Sequence, residues 1–149
     1  MHGVEIDMVV PNSIEALALY KQIFDIEIVG EIEPESGMKD TFFKMYGVGF
    51  HLLDEDPDQQ LFAPKRAEAR PMWVKLTVPN IEEVYTRAKD AGSTEIQGID
   101  LLEALGLGSA VFVDKLGYKW MLQQKHREVS FDERSRSFGE PMHEEVDYY

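Results

Sequence analysis

The stretch VEIDMVVPN at residues 4–12 returns in altered form as MWVKLTVPN at residues 72–80. Each stretch is a short run typical of a β-strand, and each ends at a proline, which has no backbone N–H to donate to a sheet. The asparagine after each proline can accept hydrogen bonds from the first turn of a following helix. The repeat therefore predicts two similar halves, each beginning with a strand and a capped helix.

The residues that follow each repeat have helical periodicity. Asn12 or Ser13 can cap the first helix, and Asn80 can cap the second. In the first half the apolar stripe consists of Ile14, Leu17, Tyr20 and Phe24. In the second half it consists of Ile81, Val84, Tyr85, Ala88 and Ala91, and Gly92 is suited to end the helix.

Three more strands are predicted after each helix. They cover residues 27–31, 41–46 and 48–54 in the first half, and residues 94–97, 110–114 and 118–124 in the second. One βαβββ module cannot bury both faces of its own sheet. We therefore predict an α+β fold, in which tandem βαβββ modules form an open, curved, eight-stranded sheet with helices on its outer face. A pair of ferredoxin-like α+β sandwiches fits less well, because each half has only one helix.

The repeat also defines the organisation of the chain. Residues 1–124 are expected to form a single domain, with a first module at about 3–54, a linker at 55–71 and a second module at about 72–124. Residues 125–149 fall outside the repeat and have few apolar residues, which predicts a disordered acidic tail. The alternative is a dimer arm that contacts a partner subunit through Phe131, Phe138, Val146, Tyr148 and Tyr149.

Composition narrows the kinds of function. The 149 residues carry 28 acidic and 15 basic side chains, and the net charge of −13 disfavours binding to nucleic acid or to an anionic membrane. The absence of cysteine excludes disulfides, thiolate metal sites and thiol nucleophiles. No apolar run is long enough for a membrane helix, and the N-terminus lacks a signal-peptide pattern, so we expect a cytoplasmic protein.

Alternation along the strands assigns side chains to the two faces of the sheet. The side chains expected on the helix-packed face include Ile6, Met8, Phe50, Leu52, Met72, Val74 and Tyr118. The side chains expected on the open, concave face are polar and aromatic, which suits a small ligand. They are Glu5, Asp7, His51, Trp73, Lys75, Thr77, Lys119, Met121 and Gln123. The segment LGLG at residues 105–108 lacks the spacing of a phosphate-binding loop and is interpreted as a flexible loop before a strand.

Three segments resemble motifs of the vicinal oxygen chelate superfamily, which contains glyoxalases, bleomycin-resistance proteins and extradiol dioxygenases. Residues 11–24, PNSIEALALYKQIF, are similar to its first helix. Residues 78–92 are similar to the helix of its second module, and residues 114–122, DKLGYKWML, to its last hairpin. The resemblance covers about residues 4–124. It implies paired βαβββ modules around an open cleft, and we expect a homodimer.

The resemblance also implies where a metal would bind. Active metalloenzymes of the superfamily place a ligand on the first and last strand of each module, and the matching positions are Glu5, His51, Trp73 and Met121. Trp73 offers only an N–H donor and Met121 a soft thioether. Asp7 could replace one ligand because it shares a face with Glu5. The resemblance thus implies a metal-poor cleft without a cofactor, and the alternative is a divalent metal at Glu5 and His51.

The function that we expect is binding of a small molecule in this cleft, as in the sequestering, bleomycin-resistance members of the superfamily. Glu5 and Asp7 would attract a cationic ligand and Trp73 would stack on it. His51 and Lys119 would orient the ligand.

Other interpretations remain open from sequence alone. Lys75 or Lys119 could cross the cleft and neutralise Glu5 and Asp7, and His51 could be a structural side chain held by a polar neighbour. The protein could instead be a divalent-metal-dependent lyase, isomerase or dioxygenase. It could also be a structural or regulatory module whose cleft is filled.

Overall fold

The computed structural model describes residues 3–32, 40–65, 71–128 and 130–139. Both halves have the predicted βαβββ order. The first module consists of β1 (Glu5–Val10), α1 (Ser13–Ile23), β2 (Ile26–Ile32), β3 (Asp40–Met45) and β4 (Val48–Asp54). The second consists of β5 (Val74–Thr77), α2 (Ile81–Asp90), β6 (Thr94–Leu102), β7 (Leu107–Val113) and β8 (Lys119–Lys125). A third helix, α3 (Phe131–Gly139), follows.

The strands form two open sheets of the same topology. The first has the order β1-β4-β3-β2 and the second β5-β8-β7-β6, each with one parallel pair, β1 with β4 and β5 with β8. Helices pack on the sheets, so the α+β class and the tandem modules are confirmed. Within the described residues, however, β1 and β5 are edge strands of separate sheets and do not join them into one hydrogen-bonded sheet of eight strands.

A side-chain hydrogen bond, and not strand pairing, connects the two sheets where their edges face each other. The hydroxyl of Tyr118, which directly precedes β8, donates to the backbone oxygen of Val9 in β1 over 2.7 Å. β5 is also short, with four residues, so little ladder is available for pairing. The facing edges of β1 and β5 therefore leave a gap between the two sheets. We call this gap the seam, and the candidate site lies in it.

The start of each helix is held in the same way in both modules. Asn12 accepts hydrogen bonds from the backbone of α1, and Asn80 does so for α2, as the sequence predicts. The N–H of Ser13 also donates to Asp54 over 2.7 Å, and the N–H of Ile81 donates to Gln124 over 2.9 Å. The last strand of each module therefore fixes the helix that follows its first strand.

Most of the predicted core is buried, and two positions are corrected. The stripe of α2 is buried as predicted, but Ile14 is 52% exposed, because α1 turns Ser13, Ala16 and Leu17 toward the core instead. Met72 is 85% exposed, because β5 begins only at Val74 and strand alternation does not apply before it.

The segment at residues 105–108 is not a loop throughout. A short 3-10 helix at Glu103–Leu105 ends at Gly106, whose φ of 65° is readily adopted by glycine. Leu107 and Gly108 already belong to β7 and pair with β8. The predicted flexible loop is therefore limited to the turn before β7.

The C-terminal stretch is also more regular than predicted. Ser130 accepts a hydrogen bond from the N–H of Glu133 over 3.1 Å, which is the first half of a capping box at the start of α3. Arg127 donates to the backbone oxygen of Glu103 and contacts Glu133 at 3.6 Å. Residues 131–139 thus form a helix, while Val146, Tyr148 and Tyr149 lie outside the described residues.

A buried carboxylate joins the two modules. Asp114, which directly follows β7, accepts hydrogen bonds from the Tyr20 hydroxyl of α1 over 2.7 Å and from the Trp120 indole over 2.8 Å. Its other oxygen accepts from the backbone N–H groups of Leu116 and Tyr118. Burial raises the pKa of the Asp114 carboxyl, while these hydrogen bonds act in the opposite direction.

The same environment holds a proton on Tyr20. Burial, together with the nearby Asp114 carboxylate, raises the pKa of the Tyr20 phenol well above its ordinary value, so the hydroxyl remains a donor. The ring of Tyr20 also meets Trp120 edge-on at 5.6 Å between centroids. One side chain of the first module is thus bound to the second by both a hydrogen bond and ring packing.

We predict that Asp114→Ala lowers the free energy of unfolding by roughly 3–5 kcal/mol, because it leaves several buried donors without an acceptor. Tyr20→Phe removes one donor and should cost about 1–3 kcal/mol. Urea unfolding measures both effects. Asp100→Ala, at an exposed position on β6, is the control and should stay within about 0.5 kcal/mol of the parent. Equal effects of Asp114→Ala and Asp100→Ala would contradict this role.

Candidate functional site

Three candidate ligating residues converge on the first sheet. Asp7 of β1 and His51 of β4 are direct neighbours in the parallel ladder, and the Asp7 Oδ1 lies 3.4 Å from the His51 Nδ1. Glu5 is two residues before Asp7 and shares its face. One ligand atom of each residue lies within 4.8 Å of the others. We call Glu5, Asp7 and His51 the acid–histidine cluster.

The neighbouring strand residues shape this cluster. Phe42 of β3 is paired with His51, and their rings stack with centroids 4.1 Å apart. The His51 side chain is only 13% exposed, whereas that of Asp7 is 59% exposed. Glu5 lies beside Gly49, where an added Cβ would lie 3.8 Å from the Glu5 carboxylate. An alanine at position 49 would therefore make ordinary van der Waals contact with Glu5.

A cavity of about 340 Å³ opens in the seam beside this cluster. Its walls come from β1 and from the residues that lead into β5 and β8, and most of the side chains are apolar or aromatic. They are Ile6, Asp7, Met8, Met72, Trp73, Val74, Tyr118, Lys119 and Trp120. Because Asp7 belongs to both features, the acid–histidine cluster lies at the edge of this seam cavity.

Lys119 and Trp73 form a second pair in the cavity. The Lys119 Nζ lies 4.0 Å from the centroid of the Trp73 ring, in cation–π contact. Within the described ranges, neither Lys75 nor Lys119 forms an ion pair with Glu5 or Asp7. The described residues therefore do not support the alternative in which Lys75 or Lys119 neutralises Glu5 and Asp7.

The structure divides the residues singled out from the sequence into two groups. Asp7, Trp73 and Lys119 line the seam cavity, and Glu5 and His51 adjoin it through Asp7. Lys75 and Met121 are neighbours in the β5–β8 ladder, but they are not among the residues lining this cavity.

Several cavity residues were missed from the sequence. Ile6 and Met8 were assigned to the helix-packed face by alternation, as were Met72 and Tyr118. A gap between two sheet edges exposes side chains from both faces of the bordering strands, so face assignment alone could not find them. The signal that could have helped is the set of large aromatic residues at the start of β5 and β8.

The acid–histidine cluster is the candidate site for a divalent metal. Two carboxylates and one imidazole are nitrogen and oxygen donors of the type that such ions bind. All three come from the first module, whereas the matching positions of the second module are Trp73 and Met121, which offer no such donor. The residues therefore fit a metal in type, with ligands from one module only.

Sequence comparisons find distant relatives of this chain. No model of a known protein family matches the chain. An uncharacterized protein of Mycobacterium tuberculosis strain H37Rv, Rv0887c, is 26% identical over 130 residues, which cover 85% of this chain and 76% of the relative.

Several solved structures have the same fold as this chain. The fosfomycin resistance protein FosX from Listeria monocytogenes has a TM-score of 0.63 and 18% identity, covering 89% of this chain and 95% of FosX. A FosX structure complexed with Mn(II) and sulfate has a TM-score of 0.61 and 16% identity, covering 90% of this chain and 98% of FosX. TioX from Micromonospora sp. ML1 has a TM-score of 0.61 and 14% identity, and the match covers 87% of this chain and 100% of TioX.

These similarities establish the class of fold. The chain has the vicinal oxygen chelate fold, as its sequence motifs predict. Its particular structural resemblance is to the FosX proteins and to TioX. In the described part of the chain, no helix is long and apolar enough to cross a membrane.

Proposed function

We propose that this protein binds a small, positively charged molecule in the seam cavity, as a sequestering protein of the bleomycin-resistance type does. The observation that carries the proposal is the cavity of about 340 Å³ between β1 and β5, with Asp7, Trp73 and Lys119 in its walls. This volume lies in the usual range for small-molecule sites, and such sites combine apolar walls with a few polar groups.

The chemistry of the walls indicates the ligand class. Glu5 and Asp7 are exposed, and no lysine or arginine in the described ranges pairs with them, so they favour a positive group at the cavity edge. Trp73 offers an aromatic surface for a flat or cationic ligand. An open cavity also disfavours the third interpretation, in which the cleft is filled by its own side chains.

We predict that at least one compound in a panel of cationic aromatic antibiotics binds with micromolar affinity in calorimetry. Asp7→Asn keeps the shape of the side chain but removes its charge, and should weaken binding about twofold to fivefold. Trp73→Leu should weaken it roughly 2- to 10-fold through lost ring contact.

Asp100→Asn is the matched control, since it removes the same charge from an exposed position on the distant strand β6 and should leave the affinity unchanged. If no compound in the panel binds, the proposed sequestration of cationic antibiotics fails. If Asp100→Asn weakens binding as much as Asp7→Asn, the proposed role of Asp7 in attracting the cation fails.

A second candidate is a metal-dependent lyase, isomerase or dioxygenase. Its specific support is the convergence of Glu5, Asp7 and His51. These residues would hold the ion, which when bound supplies a Lewis acid for substrate oxygens. Asp7 would bring the ion to the edge of the cavity, where the apolar walls can hold the rest of a substrate.

We predict for this candidate that Mn(II) binds with a stoichiometry of one, measured by the loss of the free-ion signal in electron paramagnetic resonance. Glu5→Gln and His51→Gln should each weaken binding roughly tenfold or more, because each removes one of few ligands. Glu82→Gln, on the exposed face of α2, should have no effect. Equal weakening by all three variants would indicate binding to acidic surface groups in general.

The expected homodimer and cytoplasmic location stay predictions. Antibiotic sequestration is one form of the binding proposed above, and the identity of the ligand follows from the panel.

A further inference from the structure

The cation Lys119 contacts an aromatic ring, although the chain is rich in acids. The Lys119 ammonium lies 4.0 Å from the Trp73 ring centroid, although the protein carries 28 acidic side chains. Asp7 lines the same cavity, yet no carboxylate in the described ranges forms an ion pair with Lys119. An aromatic face, and not an acid, therefore holds this cation.

Trp73 is placed where its ring can receive a cation from the cavity. Trp73 directly precedes β5 and lines the cavity together with Lys119, and 48% of the residue is exposed. Tryptophan attracts cations more strongly than the other aromatic side chains. The Trp73 ring therefore already binds one cation, which is the Lys119 ammonium.

We propose that the Trp73 ring is the cation subsite of the seam cavity and that Lys119 occupies it until an organic cation takes its place. The inference rests on the proposed function and deepens it in two ways. It makes Lys119 a competitor that sets specificity, and it names the ligand class as weakly hydrated organic cations, with quaternary ammonium groups as the clearest case.

The difference in hydration between the two cations supports this class. A lysine ammonium is compact and strongly hydrated, so leaving the ring for water costs it little. A quaternary ammonium has no N–H to donate to water and gains more from an aromatic ring and apolar walls such as Ile6 and Val74. A quaternary ammonium ligand should therefore displace Lys119 with a net gain in binding free energy, whereas small hydrated cations should not displace it.

The test compares choline with its neutral isostere 3,3-dimethylbutan-1-ol, using the full chain and nuclear magnetic resonance titration. Lys119→Gln removes the competitor and should raise the affinity for choline about twofold to fivefold. Lys75→Gln removes the same charge from the neighbouring strand and should change the affinity much less. Trp73→Leu should reduce the preference for choline over the isostere, because Glu5 and Asp7 still favour a positive charge.

A second readout follows the displacement itself. In the free protein, the ε-methylene protons of Lys119 should resonate upfield because they adjoin the Nζ atom that lies over the Trp73 ring, and Trp73→Leu should remove this shift. Saturation with choline should move the same protons to their ordinary position in the parent protein. A structural role for the contact would not produce this movement.

The possible outcomes separate this inference from the proposed function. It is overturned if neither the parent nor Lys119→Gln binds choline, if Lys119→Gln and Lys75→Gln behave alike, or if choline binds while the Lys119 resonances stay shifted. If no antibiotic in the panel binds but Lys119→Gln gains affinity for choline, the subsite stands and antibiotic sequestration fails. If the antibiotics bind and the Lys119 resonances do not respond, only the inference fails.

Discussion

The Asp114 carboxylate lies in the core and accepts hydrogen bonds from α1 of the first module and from the β7–β8 connection of the second. A charge buried in this way is costly unless each of its oxygens finds donors. The donors come from both modules, so the carboxylate is satisfied only when the modules are correctly placed against each other. This requirement makes Asp114 the link on which the relative position of the two sheets depends.

The candidate site follows from that position. Tyr118, whose N–H donates to Asp114, directs its hydroxyl to β1 and bridges the seam at one point. Elsewhere the edges of β1 and β5 are not joined by strand pairing, and the space between them is the cavity. Asp7 thereby borders the cavity from one module, while Trp73 and Lys119 border it from the other. The arrangement brings an acidic and an aromatic group to opposite sides of a single small volume.

Much of this fold could be predicted from the sequence, because its determinants are local. The Val-Pro-Asn repeat marks a strand end and a helix cap in each module, and Asn12 and Asn80 form those caps. Alternation correctly assigned Phe50 and Leu52 to the core. The Ser130 capping box was also present in the sequence, but the acidic composition around it favoured an interpretation of disorder.

The site was only partly predictable, because it depends on contacts between distant segments. Nothing near Asp114 in the sequence reveals that Tyr20, 94 positions away, donates to it. The seam cavity lies between two sheet edges, so its walls include Ile6 and Met8, which alternation assigns to the core. The pairing of Lys119 with Trp73 instead of an acid likewise depends on the placement of Trp73 before β5.

The two tryptophans offer the most direct measurement of the central claim, that a cation enters the seam cavity. Their indole N–H groups give two resonances, and that of Trp120 is held by Asp114 in the core. On titration with benzyltrimethylammonium, the Trp73 resonance should shift to a saturable limit while the Trp120 N–H stays protected from hydrogen exchange. A Trp73 resonance that does not move, while other signals report saturable binding, would place the cation outside the seam cavity.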